Sequence, residues 1–480
     1  MKTIQFILAC LFLSGQFTAL SQVEISNIFG TGHGDHGHCL VQSADSGYVL
    51  GGEMIKYSPT SYSKRAYLSK TDKEGNIEWE RMLFEFLHSG VFDLGISNDT
   101  IYACGSTQGT AFIALYNING DSIHTWVYDK TNYPYPVNAN SVCKSGDQYY
   151  LTGIASNQNT YWLEVDPFTG VFSQKHYFYN SITQANQGHD LILNQQNLVF
   201  SGFYLSGSKM DTSYIIKLDS NGDTLWTRKI QTQNLGGTSY EINMVEASDG
   251  DILVAGTYGG WLGMFITKLD RNTGDTLWMK RYEDQNYGPI VPYSIVKSGE
   301  HEYLIGGEGR YYNSPIGSQG ANMLLMKINE LGDTLWTEQF DYKILTGNNG
   351  GGSDYCGGAI PTFDGAYAMI GTADPAAPND LDFWFLKYRI PNQLGVEGSD
   401  KYDANQFQVY PNPFENEINI LNTKTCDYGL YDISGKLLHS FSCEGVGKQV
   451  VQLGSIVQPG IYVLIGEDVQ GPVAKKIIKK

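Results

Sequence analysis

The sequence predicts an all-β protein, a seven-bladed β-propeller closed by an N-terminal strand and followed by a small β-sandwich. Three observations carry that prediction. An apolar strand ending in glycine recurs seven times, at residues 48–52, 101–105, 150–153, 198–202, 252–256, 303–307 and 367–371. The intervals between its closing glycines are 53, 48, 49, 54, 51 and 64 residues, the period at which one four-stranded blade fits. A second unit follows the first, clearest as Lys217-Leu218-Asp219-Ser220-Asn221-Gly222-Asp223-Thr224-Leu225-Trp226 and again at residues 268–278 and 327–336. Weaker copies run from Lys70 to Trp79, Tyr116 to His124 and Glu164 to Gln174. Composition agrees, because 55 glycines and 33 tyrosines in 480 residues suit short strands joined by tight turns.

The chain starts as a secretory signal. Met1-Lys2 is basic, the apolar run from Ile4 to Leu13 is too short to span a bilayer, and Ala19-Leu20-Ser21 is a small-residue cleavage site. Residues 1–21 are therefore assigned to a signal peptide and the mature chain to Gln22 onward. Cys10 follows Leu8-Ala9, but cleavage there would leave about six apolar residues against the roughly 7 to 15 of a signal core, which disfavours lipidation. No later stretch approaches the length of a spanning helix, so no transmembrane segment is expected.

Residues 22–390 are read as the propeller. Ser213 to Leu218 is apolar without alternation, as expected of a strand covered on both faces by neighbouring sheets. Asp219-Ser220-Asn221-Gly222 is turn chemistry, with Gly free to take positive φ, and Thr224-Leu225-Trp226 opens the return strand. The Trp is a packing residue between blades, and looser packing is expected where it decays to His124 or Gln174. The seventh unit has strands at residues 367–371 and 382–388 but no return strand before Pro391, while Ile25 to Gly30 precedes the first unit. The N-terminal strand is expected to complete the last blade and so remove an exposed edge.

Residues 391–404, rich in Gly and polar side chains, read as a linker. Residues 405–480 then carry Val409-Tyr410-Pro411-Asn412-Pro413, Gly429-Leu430-Tyr431-Asp432-Ile433-Ser434-Gly435-Lys436, Pro459-Gly460-Ile461-Tyr462-Val463-Leu464 and a basic end from Lys475 to Lys480. These blocks, in this order, resemble the C-terminal sorting domain of type IX secretion cargo of Bacteroidetes-type bacteria. The resemblance implies a small Ig-like β-sandwich, handled by the type IX secretion machinery through residues 405–480, and a protein that is secreted or attached to the outer surface. It says nothing of activity. The basic end is read as exposed.

Charge excludes one class of partner. The formal net charge is -18, yet residues 405–480 hold seven acidic and seven basic side chains, so the body carries the acidic excess and repels nucleic acid. A solvated surface is the plain account. The local cluster with ligand-like density is His33-Gly34-Asp35-His36-Gly37-His38. If extended, it faces His36 and His38 the same way, and Asp35 is placed to support a divalent metal with one of them. A Gly-rich lead-in to the first strand explains the same residues, and it is preferred because no partner ligand is evident elsewhere.

Other motifs give less. Asp219 to Asp223 has the look of a calcium loop, but its Gly stands fourth rather than sixth and no bidentate Glu follows, so a hairpin turn is the better account. Asp270-Arg271-Asn272-Thr273-Gly274-Asp275-Thr276-Leu277-Trp278 resembles the Trp-docking repeat of quinoprotein propellers, which implies scaffold and no cofactor site. Sialidase-type Asp boxes are similar but place the aromatic differently. There is no Gly-x-Ser-x-Gly elbow, P-loop or His-Glu-x-x-His, so no catalytic residue and no cofactor are assigned. Cys426 and Cys443 share the tail and their spacing permits a disulfide, whereas Cys104 reads as a buried thiol.

The functional expectation is a binding or adhesion module whose loops at one mouth of the ring hold a glycan, peptide or surface partner. The competing class is an extracellular polysaccharide hydrolase or lyase using channel carboxylates, and a third is a structural surface protein. A channel-facing carboxylate pair of raised pKa favours the enzyme, and aromatic and amide groups at the mouth favour binding.

Overall fold

A computed structural model describes residues 22–30, 34–58, 61–84, 88–128, 130–131, 134–157, 159–178, 185–206, 209–231, 242–258, 263–282, 289–311, 320–347, 352–375, 381–390, 408–410, 414–422, 426–432, 436–443, 447–468 and 471–479. The signal peptide assigned to residues 1–21, the linker assigned to residues 391–404, and His33 lie outside them.

The body is a succession of four-stranded antiparallel sheets. Sheet one holds His36–Gln42, Tyr48–Ser58, Ser61–Thr71 and Ile77–Met82. Sheet two holds Ser89–Ser97, Thr100–Thr107, Thr110–Asn117 and Ser122–Val127. Pro136–Ser145 opens sheet three, Ala185–Asn194 sheet four, Ile242–Glu246 sheet five and Ile290–Gly299 sheet six, each followed by three more strands. Sheet seven has three strands in chain order, Tyr355–Pro361, Tyr367–Ala373 and Asp382–Arg389, and its fourth is Gln22–Phe29. That first strand of the chain pairs antiparallel with Asp382–Arg389, from Gln22 opposite Arg389 to Phe29 opposite Phe383. The first strands of successive sheets touch in order, and the first strand of sheet seven touches that of sheet one.

The burial pattern explains the repeat. Third strands are covered on both faces: Thr110 to Tyr116 and Gly263–Leu269 are buried at every position, which is why they show no alternation. The fourth strands Ile77–Met82 and Ser122–Val127 are largely exposed, whereas Thr334–Phe340 is mostly half-buried. The turn chemistry is as read, since Asp219 Oδ1 accepts from the amides of Asn221 and Asp223 at 2.9 Å each. That oxygen serves a hairpin turn.

The repeated Trp lies over the turn of the next sheet. Trp226 is 8% exposed and its Nε1 donates to Arg271 O at 3.1 Å. Gly274 of that turn has φ +70°, and a Cβ there would lie 2.6 Å from the Trp226 ring, so only glycine satisfies both the backbone and the contact. Trp79 covers Gly120 and Trp278 covers Gly332 in the same way. Where the repeat has His124, Trp126 two residues on stacks against it at 4.9 Å and reaches Gly170, so sheet two keeps a Trp over its neighbour's turn. The side chain of Gln174 lies outside the described residues.

A Lys near the end of the third strand has a role the sequence did not reveal; in sheet four it is Lys217, which donates to Asn194 Oδ1 at 2.5 Å and Arg271 O at 2.9 Å, and in four other sheets it meets acids. Lys70, Lys268, Lys327 and Lys387 are nearly buried, and each meets carboxylates at the turn joining first and second strands. Lys70 pairs with Asp45 at 2.6 Å, Lys327 with Glu302 at 2.5 Å and Lys387 with Asp364 at 2.7 Å. Lys268 pairs with Asp249 and lies 3.0 Å from Glu330. A buried ammonium without such partners would be strongly destabilising.

The tail forms two further sheets. Gln408–Tyr410, Glu417–Asn422 and Gly447–Gln452 make one, and Leu437–Cys443, Cys426–Asp432, Gly460–Asp468 and Gly471–Lys479 make the other, in those orders. Ile418 and Ile420 of the first share a core with Tyr428, Leu430, Leu464 and Ile477 of the second, which is a β-sandwich. At the end of the chain Lys475 and Lys479 are half-buried rather than exposed as expected. Lys479 is half-buried and its Nζ donates to Gly454 O at 2.5 Å and Val457 O at 2.6 Å, because the alternation of the last strand turns Ile477 and Lys479 toward the sandwich.

Candidate functional site

The two ends of the body differ. At the end where third and fourth strands join, connections are short turns such as residues 219–223, whereas at the end where first strands begin they are longer, as between Phe340 and Tyr355. Longer loops on a rigid scaffold are the usual carriers of binding groups.

The first strands share a second feature. In six of the seven sheets the described register is interrupted near the start of the first strand, between Gly37 and Cys39, Val91 and Asp93, Ala139 and Ser141, Gly188 and Leu191, Pro292 and Ser294, and Cys356 and Gly358. A bulge re-aims the side chain it carries. Here several reach the neighbouring first strand: Asn140 Nδ2 donates to Gly188 O at 2.7 Å, and His189 Nδ1 bonds Ile242 O at 3.2 Å. His38 meets Phe92 edge-on at 5.7 Å, and from sheet five, whose register is continuous, Asn243 Nδ2 likewise donates to Pro292 O at 3.3 Å.

Acidic side chains tie the sheets deeper along the same strands. Asp93 Oδ2 accepts from Val142 N at 2.9 Å and Ser141 Oγ at 3.0 Å. Asp190 accepts from Met244 N at 2.6 Å, and its other oxygen from Ser141 Oγ at 3.2 Å and Leu191 N at 2.7 Å. Burial, opposed by these amides and reinforced by Asp190, pushes the Asp93 carboxyl up to about 7. Burial raises Asp190 too. This is the pair of raised carboxyls that would favour an enzyme, but each is bound by backbone amides of the next sheet. Their geometry is that of inter-sheet fasteners.

A pH dependence follows. An acid whose folded pKa lies above its unfolded value stabilises the fold fully below the unfolded value, here 3.8, and that contribution is lost as pH rises toward about 7. At the acid end the sign reverses: Asp45 is burdened by burial, but the Lys70 ammonium outweighs it and holds the carboxyl down at about 2. Asp93 and Asp354, both pushed by burial up to about 7, outweigh the opposite slope of His36, which burial lowers to about 4, so the melting temperature is expected to peak in the mildly acidic range and fall between about pH 4 and 7. Asp93→Asn is expected to flatten that fall. A melting temperature rising steadily from pH 4 to 8 in the parent protein would exclude this assignment.

Around the beginnings of the first strands of sheets six, seven and one lies a polar and aromatic cluster. Tyr355 opens sheet seven and His36 opens sheet one; the Tyr355 hydroxyl and His36 Nδ1 are hydrogen-bonded and their rings stack at 6.0 Å. Burial, then the nearby Lys64 and His38, lowers His36 to about 4, and burial pushes Tyr355 up to about 12. At neutral pH this is a neutral imidazole against a neutral phenol. Tyr293 of sheet six packs 5.9 Å from Tyr355 and its hydroxyl donates to Glu308 at 3.1 Å. On the other side, Glu53 pairs with Lys64 at 2.6 Å.

Glu53 and Glu308 occupy the same repeat position, directly after Gly51-Gly52 and Gly306-Gly307, on the two sheets that flank sheet seven. The sequence carries that coincidence in the residue that follows each Gly-Gly pair. Of the His33 to His38 cluster, His36 and His38 do face the same way, with rings stacked at 6.3 Å. Asp35 is buried, and its Oδ1 accepts from Ile55 N at 2.5 Å. Among the described residues no group of three or more His, Cys, Asp or Glu side chains converges to hold a metal.

A cavity of about 570 Å³ lies elsewhere, where the N-terminal strand meets sheet one, lined by Glu24, Ile25, Gln42, Lys73, Phe363 and Asp364. Glu24 and Asp364 both pair with Lys387 and Arg389 there, so the cavity belongs to the seam of the last sheet.

Comparison with solved structures returns proteins of low identity. A protein from Bacteroides caccae is 14% identical, with a TM-score of 0.39, over 64% of this chain and 94% of its own. The Dos1 propeller is 10% identical, with a TM-score of 0.41, over 78% and 96%. BamB from Moraxella catarrhalis is 12% identical, with a TM-score of 0.32, over 80% and 96%. A search of curated protein sequences finds no match. Among the described residues no helix is long and apolar enough to cross a membrane. Residues 408–480 match the family described as the secretion system C-terminal sorting domain, so this all-β chain carries a sorting tail that directs type IX secretion, to the cell surface or beyond it.

Proposed function

We propose that residues 22–390 are one closed seven-bladed ring that acts outside the cell as a binding module, and that its ligand sits at the cluster formed by His36, Glu53, Tyr293, Glu308 and Tyr355. Closure is supported by the pairing of Gln22–Phe29 with the last strand and by the contact of the first strands of sheets seven and one. The observation that carries the binding reading is the placing of two carboxylates beside stacked aromatic rings at the end with longer loops. Carboxylates accept hydrogen bonds from sugar hydroxyls or peptide amines, and flat rings cover the apolar face of either. A glycan or peptide of the cell's surroundings fits this chemistry. An extracellular hydrolase or lyase is the second reading, and the amide-bound state of Asp93 and Asp190 weighs against it.

The deciding experiment presents the mature chain, and residues 22–390 alone, to glycan and peptide arrays beside a hydrolysis screen. Both proteins are expected to bind the same ligands and to release no product. Glu308→Gln and Glu53→Gln are each expected to weaken binding roughly ten- to a hundredfold, since a hydrogen bond to a charged group contributes about 1.5 to 3 kcal/mol. Ligand binding unaffected by both variants would remove the site from this cluster, and product release would move the protein to the enzyme class. Failure of residues 22–390 to fold would instead discard the domain boundary.

A further inference from the structure

We infer that Cys426 and Cys443 form a cross-strand disulfide that pins the edge of the sorting tail. In the tail's four-stranded sheet, Cys426 stands directly opposite Cys443, the first residue of one strand against the last of its neighbour. Directly opposed residues on antiparallel strands carry their Cβ atoms on one face about 4.5–5.5 Å apart, a small relaxation from the roughly 3.5–4.5 Å of a disulfide. None of the cysteines described in the body has this relation to another: Cys39 stands opposite Gly51, Cys104 opposite Asp93 and Ile113, Cys143 opposite Tyr150 and Cys356 opposite Gly371.

The position also gives the bond a purpose. Leu437–Cys443 is an edge strand, held only by Cys426–Asp432 in the order of the sheet. An edge strand frays first and offers an open row of pairing groups. A link at its far end holds both termini of the pair together through the intervening residues 427–442, and it constrains the unfolded tail as well. The route that the sorting domain implies takes the chain through an oxidising compartment, where such bonds persist. The chemistry is exchange with the disulfide of a thiol oxidoreductase: the two tail thiols lose two protons and two electrons, the Sγ–Sγ bond forms, and the oxidant's disulfide becomes a dithiol.

The inference rests on export, and the test separates the two. Full-length protein collected from the medium or surface of an exporting host is denatured without reductant, alkylated with iodoacetamide and mapped by mass spectrometry. A cross-linked peptide pair joining Cys426 to Cys443 is expected, with Cys39, Cys104, Cys143 and Cys356 alkylated. The same full chain, purified reduced and equilibrated in a glutathione buffer of secretory-compartment poise, is expected to give the same pair even if the protein proves not to be exported. Alkylation of both tail cysteines in that buffer, or pairing of either with a body cysteine, would overturn the inference. In the double variant Cys426→Ser, Cys443→Ser the melting transition of the tail is expected to fall by roughly 10 °C or more, while Cys356→Ser leaves it in place.

Discussion

Removal of residues 22–29 is expected to lower the melting temperature of the body sharply and to make the protein associate. The strand supplies the whole fourth member of sheet seven, and without it Asp382–Arg389 becomes an open edge. Val23 and Ile28 pack on one cluster, with Trp384 and Tyr388, and Ile25 and Phe29 on another, with Phe383 and Phe385. Full burial of four such side chains would contribute about 6 to 12 kcal/mol, and these are only partly buried, so their sum is on the order of 3 to 6 kcal/mol. That is a large part of a domain's net stability, about 5 to 15 kcal/mol. The strand also brings Glu24, whose carboxylate pairs with Arg389 and, at 3.3 Å, with Lys387. Deletion leaves the nearly buried Lys387 with Asp364 as its acidic partner and opens an unpaired edge, so loss of stability and strand-to-strand association go together. Thermal melts with analytical ultracentrifugation check this. A deletion variant that melts with the parent and stays monomeric excludes Gln22–Phe29 as the closing strand.

Trp226→Ala is expected to destabilise the body by about 3 to 5 kcal/mol, the scale of removing a large buried aromatic side chain. The ring is wedged over Gly274, whose positive φ leaves the turn no side chain with which to fill the void. Its Nε1 also satisfies Arg271 O, which loses that donor. Leu225, the adjacent residue on the same strand, is 52% exposed and provides the contrast: Leu225→Ala is expected to stay within about 0.5 kcal/mol, the range of surface sites. Chemical denaturation of both variants tests the pair of statements. A Trp226→Ala change as small as that of Leu225→Ala would reject inter-sheet packing as the role of the repeated Trp.

The residues that proved legible in the sequence are those whose role is local. Asp219, Asn221 and Gly222 specify a turn because an Asx oxygen and a glycine of positive φ act within five residues, whatever surrounds them. The glycines closing each second strand declared the repeat, and the period of the repeat declared the sheets, because each sheet is a local meander. The tail was legible for a different reason: its motif blocks mark a recognised address, and residues 408–480 carry it. Even the contact between distant ends was readable, since a seventh unit lacking a return strand left one place for Ile25 to Gly30.

Tertiary structure alone decided which polar groups meet. Glu53 and Glu308 are far apart in the chain and come to flank Tyr355 only because the order of sheets puts six and one on either side of seven. Asp93 and Asp190 read as two acids among many, and they become a shared fastener because bulges bring both onto Ser141. Lys268 and Lys327 were plain members of a motif until burial beside Asp249 and Glu302 gave them partners. Turn and strand patterns depend on the backbone within a few residues and are written in sequence order. The charge, burial and direction of a side chain depend on neighbours that only the packed sheets supply.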